Sequence, residues 1–114
     1  MLIGELSRRT GVSSRLLRYY EAQGLLEPTR DLNGYRSYDE DAVVTVRKVR
    51  VLLNAGLTTE VIRVVLPCTR GDQPEFDWCA DLRDLMDREL AAVDQRIDDL
   101  RRNRGALAGF LSQP

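Results

Sequence analysis

The apolar residues at the start of the chain recur at the spacing of two short helices. Residues 3–9 predict the first helix, and Gly11 supplies a sharp turn that lets a second helix cross the first steeply. Ser13 is a typical N-cap residue, so the second helix is expected over about 14–23, with Gly24 closing it. Together these elements have the outline of a helix-turn-helix.

Two further helices are predicted later in the chain. Asp39 is expected to cap a helix over about 40–54, where valines and leucines recur at helical spacing. Thr58 is expected to start another helix that runs through Leu66, because Pro67 cannot continue it. Each of these helices carries an apolar side, which is expected to face the core.

The stretch between the two helix pairs, residues 27–38, is rich in turn-forming residues. Its Asn33-Gly34 pair is the strongest short sequence signal for a β-hairpin, and it lies between Leu32 and the segment 35–38. A small two-stranded wing is therefore predicted beside the helix-turn-helix.

The last third of the chain has a different pattern. Residues 67–78 contain two prolines, a glycine and three acidic residues, and are predicted to form a loop. A long helix is predicted over about 79–111, where apolar residues alternate at spacings of four and three if Arg104 fills one gap. These apolar residues are Met86, Leu90, Val93, Ile97, Leu100, Leu107 and Leu111. So narrow a stripe, about 39 Å long at about 1.5 Å per residue, needs a partner helix, most simply a second copy of the chain.

The expected fold is mainly α-helical and has three parts. Residues 1–66 form a winged helix-turn-helix head for DNA binding, residues 67–78 a linker loop, and residues 79–111 a coiled-coil helix for dimerisation.

The composition permits a DNA partner without requiring one. The net charge is −1, yet residues 1–66 hold ten basic and eight acidic residues, whereas residues 67–114 hold seven and ten. The predicted head is therefore weakly positive. No stretch reaches the roughly 20 apolar residues of a membrane span and no signal segment opens the chain, so the cytoplasm is the expected compartment and no membrane partner is expected.

The second helix of such a head is expected to enter the major groove, where the edges of bases can be read. We expect DNA contacts from this helix and its cap, from the wing, and from one later helix start. The candidates are Ser13, Ser14, Arg15, Arg18, Tyr19, Gly34, Tyr35, Arg36, Tyr38 and Thr58. Three of them have plainer alternatives: Tyr19 as a packing residue, Arg15 as a solvated one and Thr58 as a simple helix cap. Tyr20 is expected in the core.

Six short segments give this outline a specific resemblance. They are Ile3-Gly4-Glu5-Leu6, Thr10-Gly11-Val12-Ser13, Leu17-Arg18-Tyr19-Tyr20-Glu21, Gly24-Leu25-Leu26, Asn33-Gly34-Tyr35-Arg36-Ser37-Tyr38 and Ala55-Gly56-Leu57-Thr58. In this order and spacing, over residues 2 to about 66, they resemble the opening of MerR-family transcriptional regulators. The long helix occupies the position of that family's dimerisation helix.

The resemblance implies a homodimer, joined by an antiparallel coiled coil, that holds two heads on one face of double-stranded promoter DNA. Family members typically bind between promoter elements whose spacer is overlong. They repress in one state and, with effector bound, kink and untwist the DNA so that RNA polymerase can engage. By the same resemblance, Arg18 and Tyr19 correspond to groove and backbone contacts, and Tyr35, Arg36 and Tyr38 to contacts of the wing.

The signal that such a regulator would sense is not evident from the sequence. Cys79 falls near the start of the long helix, where some metal-sensing relatives place a ligand, and Cys68 precedes it in the loop. Three interpretations stay open for these cysteines: simple packing, a redox disulfide, or two thiolates that bind a soft ion such as Cu(I) or Hg(II). A small organic ligand near Phe76 and Trp78 is a further alternative. Because no histidine and no C-terminal cysteine pair is present, no metal or other cofactor is expected by default.

Other functional classes account less well for the pattern. A DNA-architectural or excisionase-like protein would share the head, but a dimer-forming helix of this length weighs against it. A coiled-coil interaction module without DNA binding would not need Arg18, Tyr35 and Arg36 in these places. An enzyme is the weakest interpretation, because histidine is absent and no glycine-rich phosphate loop appears.

Overall fold

The computed structural model describes residues 1–71 and 74–114 and divides the chain into two units, Met1–Asp77 and Trp78–Pro114. Within these described ranges, the first unit contains four α-helices, a 3₁₀ helix and two short β-hairpins, and the second consists mainly of one long helix. The predicted fold class, mainly α with a small wing and a long C-terminal helix, is confirmed.

The two N-terminal helices form the expected helix-turn-helix. Helix α1 spans Ile3–Thr10 and α2 spans Ser14–Ala22. Gly11 joins them at φ 71°, a left-handed conformation that glycine adopts without strain. Ser13 is the N-cap of α2, because its hydroxyl accepts a hydrogen bond from the amide of Leu16 at 3.1 Å. The start and the turn of this motif therefore follow local sequence chemistry.

The wing is a short antiparallel hairpin. Strand β1 spans Thr29–Arg30 and β2 spans Arg36–Ser37, and the register places Thr29 opposite Ser37. The backbone of Met1 is joined to the residue after β2, because the amide of Tyr38 donates to the carbonyl of Met1 at 2.8 Å. The N-terminus is thereby tied to the exit of the wing.

The turn of the wing is longer than the two-residue turn that an Asn-Gly pair usually makes. Asp31 closes it: its amide donates to the carbonyl of Tyr35 at 3.0 Å, and its Oδ1 accepts from the amides of Asn33 and Tyr35 at 2.8 and 3.0 Å. Gly34 supplies the left-handed residue, with φ 80°. Such an arrangement, a tight turn followed by a left-handed glycine, is the usual three-residue hairpin loop. Leu32, expected to flank the turn, lies fully exposed within it.

Two helices complete the head. Helix α3 spans Glu40–Asn54 and α4 spans Thr59–Val65. Asp39 and Thr58 are their N-caps, each accepting at 3.2 Å from the amide three residues further on. The predicted starts of both helices are confirmed.

The core of the head is built from the apolar sides of these four helices. The largest fully buried side chains are Tyr20, Leu6, Leu17, Ile62, Val43, Val46, Val49 and Val65. The expectation that Tyr20 belongs to the core is confirmed. Burying this much aliphatic surface, at about 25 cal/mol per Å², is the main term that holds the helices at their angles.

An ion pair joins α1 to α3 at the surface. Arg9 donates to both carboxylate oxygens of Glu40, with Nη2 to Oε2 at 2.6 Å. The hydrogen bond from Arg9 lowers the pKa of Glu40 below its usual value. Because both side chains are exposed, this pair contributes little to stability.

The segment predicted as a loop over 67–78 is in fact partly regular. Leu66–Cys68 forms a 3₁₀ helix, and strand β3, Thr69–Arg70, pairs with β4, Glu75–Phe76. Strands of two residues are too short to produce an alternating apolar pattern, so sequence reasoning could not find them. Residues 72 and 73, which the predicted loop includes, lie outside the described residues.

The second unit is dominated by helix α5, Ala80–Leu111, which agrees with the predicted helix over 79–111. Most of the predicted dimerisation residues are exposed in the single protomer: Leu90, Val93, Ile97, Leu100 and Leu107, with Met86 half-buried. None of the helices in the described ranges combines the length and hydropathy that a membrane crossing requires.

Candidate nucleic-acid interface

The outer face of α2 presents the residues expected in the major groove. Leu17 and Tyr20 are buried, so the helical period turns Arg15, Arg18 and Tyr19 toward solvent. Tyr19 is 47% exposed, so its side chain is accessible to a phosphate. This face combines two arginine guanidinium groups, each of which can donate two parallel hydrogen bonds, with one tyrosine hydroxyl. Such donors suit phosphate and guanine.

The wing presents a second group of candidates. Tyr35 is 68% exposed, and Gly34 beside it would allow a sugar-phosphate chain to approach closely, because no side chain projects from it. The side chain of Arg36 is about half exposed. Three of the predicted wing residues are therefore accessible.

Glu21 connects the wing to α2. Its Oε2 lies 3.3 Å from Nη1 of Arg36, and its Oε1 accepts a hydrogen bond from the hydroxyl of Tyr38. The carboxylate is largely shielded, since its side chain is only 11% exposed. A shielded carboxylate with two donors from one hairpin fixes how that hairpin lies against the helix.

The prediction that Tyr38 projects outward from the wing is wrong. Its side chain is 2% exposed, because the residue after β2 turns back toward the core and its hydroxyl is bound to Glu21. Burial and this hydrogen bond raise the pKa of Tyr38 to about 12. The positive charges of Arg36 and Arg18 oppose this rise in the pKa of Tyr38.

The terminal amine also contributes to this junction. The amine of Met1 donates to the carbonyl of Tyr38 at 2.6 Å, in addition to the bond between the Tyr38 amide and the Met1 carbonyl. The exit of the wing is therefore held by its backbone and by its tyrosine side chain.

Two residues of this region were missed by sequence reasoning. Glu21 was noticed only as part of a motif, and no local signal pairs it with Tyr38, 17 residues away. Arg30 donates through Nη1 to the carbonyl of Gly34 at 2.9 Å and braces the turn of the wing. A cross-strand contact of this kind could have been suggested only after the hairpin register was known.

The remaining polar candidates serve local structure in the protomer. Ser13 and Thr58 cap their helices, each through a side-chain hydrogen bond to a backbone amide. Ser14 is half-buried at the start of α2.

The two cysteines lie in different units, Cys68 half-buried in the first and Cys79 exposed in the second, and both are free thiols. Among residues 1–71 and 74–114, no three side chains of Cys, His, Asp or Glu cluster in a way that could hold a metal ion. Trp78 packs its ring under the guanidinium of Arg83, with 4.7 Å between the charge centre and the ring centroid.

Comparison with known proteins places this arrangement in a family. The family model for MerR HTH regulatory proteins matches residues 1–68. A related protein, the HTH-type transcriptional regulator HmrR of Rhizobium leguminosarum bv. viciae, is 36% identical over 110 residues, covering 94% of this chain and 81% of the relative.

Two further relatives bear names that refer to heavy metals. The mercuric resistance operon regulatory protein of Bacillus cereus is 32% identical over 101 residues, covering 88% of this chain and 74% of the relative. The crystal structure of the transcription regulator PbrR691 from Ralstonia metallidurans CH34, in complex with lead(II), is similar with a TM-score of 0.80 at 31% identity, covering 96% of this chain and 84% of that chain.

Proposed function

This chain belongs to the MerR HTH family of DNA-binding transcriptional regulators, and we propose that it acts as a homodimer that distorts promoter DNA. The family consists of regulators, not enzymes. The observation that carries the proposal is the exposed face of α2, with Arg15 and Arg18, together with the wing residue Arg36, which pairs with Glu21 of the same helix. The distorted DNA then controls initiation by RNA polymerase. The cytoplasm is the proposed compartment.

In the proposed complex, α2 enters the major groove. Arg15 and Arg18 donate to guanine or to phosphate, and the hydroxyl of Tyr19 donates to a phosphate. Ser14 lies beside them, and the capped helix starts at Ser13 and Thr58 offer backbone amides to the sugar-phosphate chain. Contacts to bases supply specificity, whereas contacts to phosphate fix the register of the helix in the groove.

The wing contacts the backbone outside that groove. Arg36 supplies the positive charge, Tyr35 an exposed hydroxyl, and Gly34 the close approach. The buried Tyr38 contributes indirectly, because its hydroxyl bonds to Glu21 and so holds the end of β2 against α2. With contacts from both elements, the head can hold DNA in a bent form, since smooth bending of a short site costs of order 1–6 kcal/mol and must be offset by such contacts.

The class of signal is proposed from the relatives. PbrR691 is described in complex with lead(II), and another relative regulates a mercuric resistance operon, which favours a soft metal ion. The thiolates of Cys79 and Cys68 are the ligands that this chain offers for such an ion. Reversible oxidation of these thiols is the second candidate, and addition of a reductant that is not itself a thiol separates the two.

The first test is fluorescence-anisotropy titration of the purified protein against its own upstream DNA and against random duplex. We expect a salt-sensitive preference for the upstream DNA, measured with and without reductant and with and without Hg(II). Equal affinity for both duplexes under all of these conditions would overturn the proposal.

The wing assignment is tested by Arg36→Ala. Loss of one phosphate contact should weaken operator binding about tenfold and reduce the salt slope by about 1. Arg102→Ala is the matched control, because Arg102 lies on exposed α5 and also pairs with an acidic residue, Asp99. An unchanged affinity and salt slope for Arg36→Ala would show that the wing does not contact DNA.

A further inference from the structure

The C-terminal end of α2 is closed first by its own backbone. The amide of Leu25 donates to the carbonyl of Tyr20 at 2.9 Å. The amide of Gly24, whose φ is 74°, donates to the carbonyl of Glu21 at 3.0 Å. These two bonds and the left-handed glycine form a Schellman motif, which satisfies the last carbonyls of a helix. The carbonyl of the C-cap residue, Gln23, is not used by this motif and takes its donor from another element.

That donor is Arg63 of α4, which lies 40 residues further along the chain. Its Nε donates to the carbonyl of Gln23 at 2.7 Å. One helical turn earlier on α4, the hydroxyl of Thr59 donates to Oε1 of Gln23 at 3.4 Å. Helix α4 therefore holds both the backbone and the side chain of the residue that ends α2.

Gly24 leaves the room that this contact needs. A Cβ placed on Gly24 would lie 3.4 Å from Nε of Arg63 and 3.8 Å from its Cδ. The guanidinium also lies at the end of a helix where the macrodipole is negative, which favours a positive charge there. Arg63 is thus joined to the end of α2 by a hydrogen bond, by close contact and by charge.

Helix α4 is a firm support for this contact. Ile62 and Val65 of α4 are fully buried in the core of the head. The backbone of Arg63, which lies between them, is therefore fixed relative to the core, and its side chain ties the end of α2 to that position. The last turn of α2 is then joined to the wing by Glu21 and to α4 by Gln23, which follows the helix directly.

The position of this end decides where the opposite end of α2 lies. Arg15, which is exposed, precedes Gln23 by eight residues, or about 12 Å at about 1.5 Å per residue. Over that length, a rotation of about 5° about the C-terminal end moves Arg15 by about 1 Å. Bidentate hydrogen bonds from arginine to guanine tolerate little displacement, because both donors must stay in line with their acceptors.

We propose that Arg63 is a positioning residue for DNA recognition: through the carbonyl of Gln23 it sets the angle at which α2 enters the groove, and so determines sequence preference without touching a base. The inference rests on the proposed function, in which α2 reads DNA, and adds a residue outside α2 and the wing. Loss of the hydrogen bond lets the end of α2 tilt. Contacts to bases then weaken, whereas the attraction to phosphate, which carries no sequence information, persists.

Three substitutions separate the hydrogen bond of Arg63 from its charge. Arg63→Gln keeps an N–H donor at the same number of bonds from the backbone as Nε, but removes the charge. Arg63→Lys keeps the charge but places a methylene group where Nε was. Arg63→Met removes both the donor and the charge and keeps a side chain of similar length.

Anisotropy titrations of the full chain against its own upstream DNA and against random duplex give the first result. Arg63→Met and Arg63→Lys should lose about tenfold of the preference for the upstream DNA, whereas Arg63→Gln should stay within about threefold of the wild type. A direct contact between Arg63 and phosphate predicts a different order. Arg63→Lys would then bind like the wild type, and the other two variants would bind both duplexes more weakly, with a salt slope reduced by about 1. That order, or an unchanged preference in all three variants, would overturn the proposal.

A measurement without DNA separates this test from that of the proposed function. Hydrogen exchange of the Gly24 and Leu25 amides, followed by NMR, should be about fivefold faster in Arg63→Met and Arg63→Lys than in the wild type, and unchanged in Arg63→Gln. As a control, Arg50→Met removes an exposed arginine from α3 and should leave both the exchange rates and the preference within about twofold of the wild type. A wild-type chain without any preference for the upstream DNA refutes the proposed function, whereas a wild-type preference with equal exchange rates in all variants refutes only the role of Arg63.

Discussion

Glu21 shows how a residue that need not touch DNA can determine a DNA contact. Its carboxylate pairs with Arg36 and accepts the hydroxyl of Tyr38, so it holds a charged wing residue and a buried one together. It also places a negative charge beside a surface proposed to meet phosphate. Removing that charge should therefore have two opposite effects.

We expect Glu21→Gln to raise affinity for random duplex by about twofold, because one repulsive charge is lost. We expect it to lower the preference for operator over random duplex about fivefold, because the wing is no longer held to α2. Anisotropy titrations on both duplexes measure the two effects. Glu40→Gln is the control, since it also breaks an arginine–carboxylate pair but leaves the wing untouched; an equal loss of preference there would refute a special role for Glu21.

Among single residues, the sequence predicted the exposed hydrogen-bond donors of α2 better than the residues that hold the wing in place. Arg15, Arg18 and Tyr19 follow from helical spacing, because burial of Leu17 and Tyr20 leaves them outside. Tyr38 was misassigned because a strand residue can face either side, and nothing local shows which. Its partner Glu21 belongs to another element, so the contact could be found only in three dimensions.

Among the elements, those with strong boundary residues were predictable. Ser13, Asp39 and Thr58 each cap a helix with a side-chain hydrogen bond, and the helices begin where these residues indicate. The hairpin β3–β4 was missed because its strands are two residues long. Short strands are held by backbone pairing, which leaves no periodic trace in the side chains.

Two glycines give a matched test at the level of elements. At both Gly34 and Gly105, an added Cβ would meet nothing within 4 Å, so packing does not distinguish them. Gly34 has φ 80°, whereas Gly105 lies inside α5. We expect Gly105→Ala to stabilise α5 by up to about 1 kcal/mol and Gly34→Ala to destabilise the head by about 1 kcal/mol. Thermal unfolding followed by circular dichroism measures both, and a shared sign would refute the argument from backbone conformation.

For the whole molecule, the long apolar stripe of α5 predicted a second copy of the chain as its partner, because a narrow apolar stripe cannot be buried within its own helix. The family assignment then supplies what such a dimer does, and no contact within one protomer could have supplied it. The proposed metal signal comes from the relatives, because the described residues contain no cluster of three metal-ligating side chains.

The proposed DNA-binding surface of the head and the apolar stripe of α5 should be linked through the dimer. A dimer places two heads on a site with two half-sites, so its full-site affinity gains from the second head, whereas a half-site binds only one. Ile97→Arg places a charge in the apolar stripe of α5 and leaves Arg18 and Arg36 intact, so we expect it to weaken full-site binding about tenfold at protein concentrations below the dimer Kd, with half-site affinity unchanged. Arg36→Ala should weaken binding to both sites. Anisotropy titrations of both proteins on a full site and on a single half-site separate these cases. An equal loss for Ile97→Arg on the half-site would mean that the head depends on α5, and an unchanged full-site affinity would mean that the two heads bind independently.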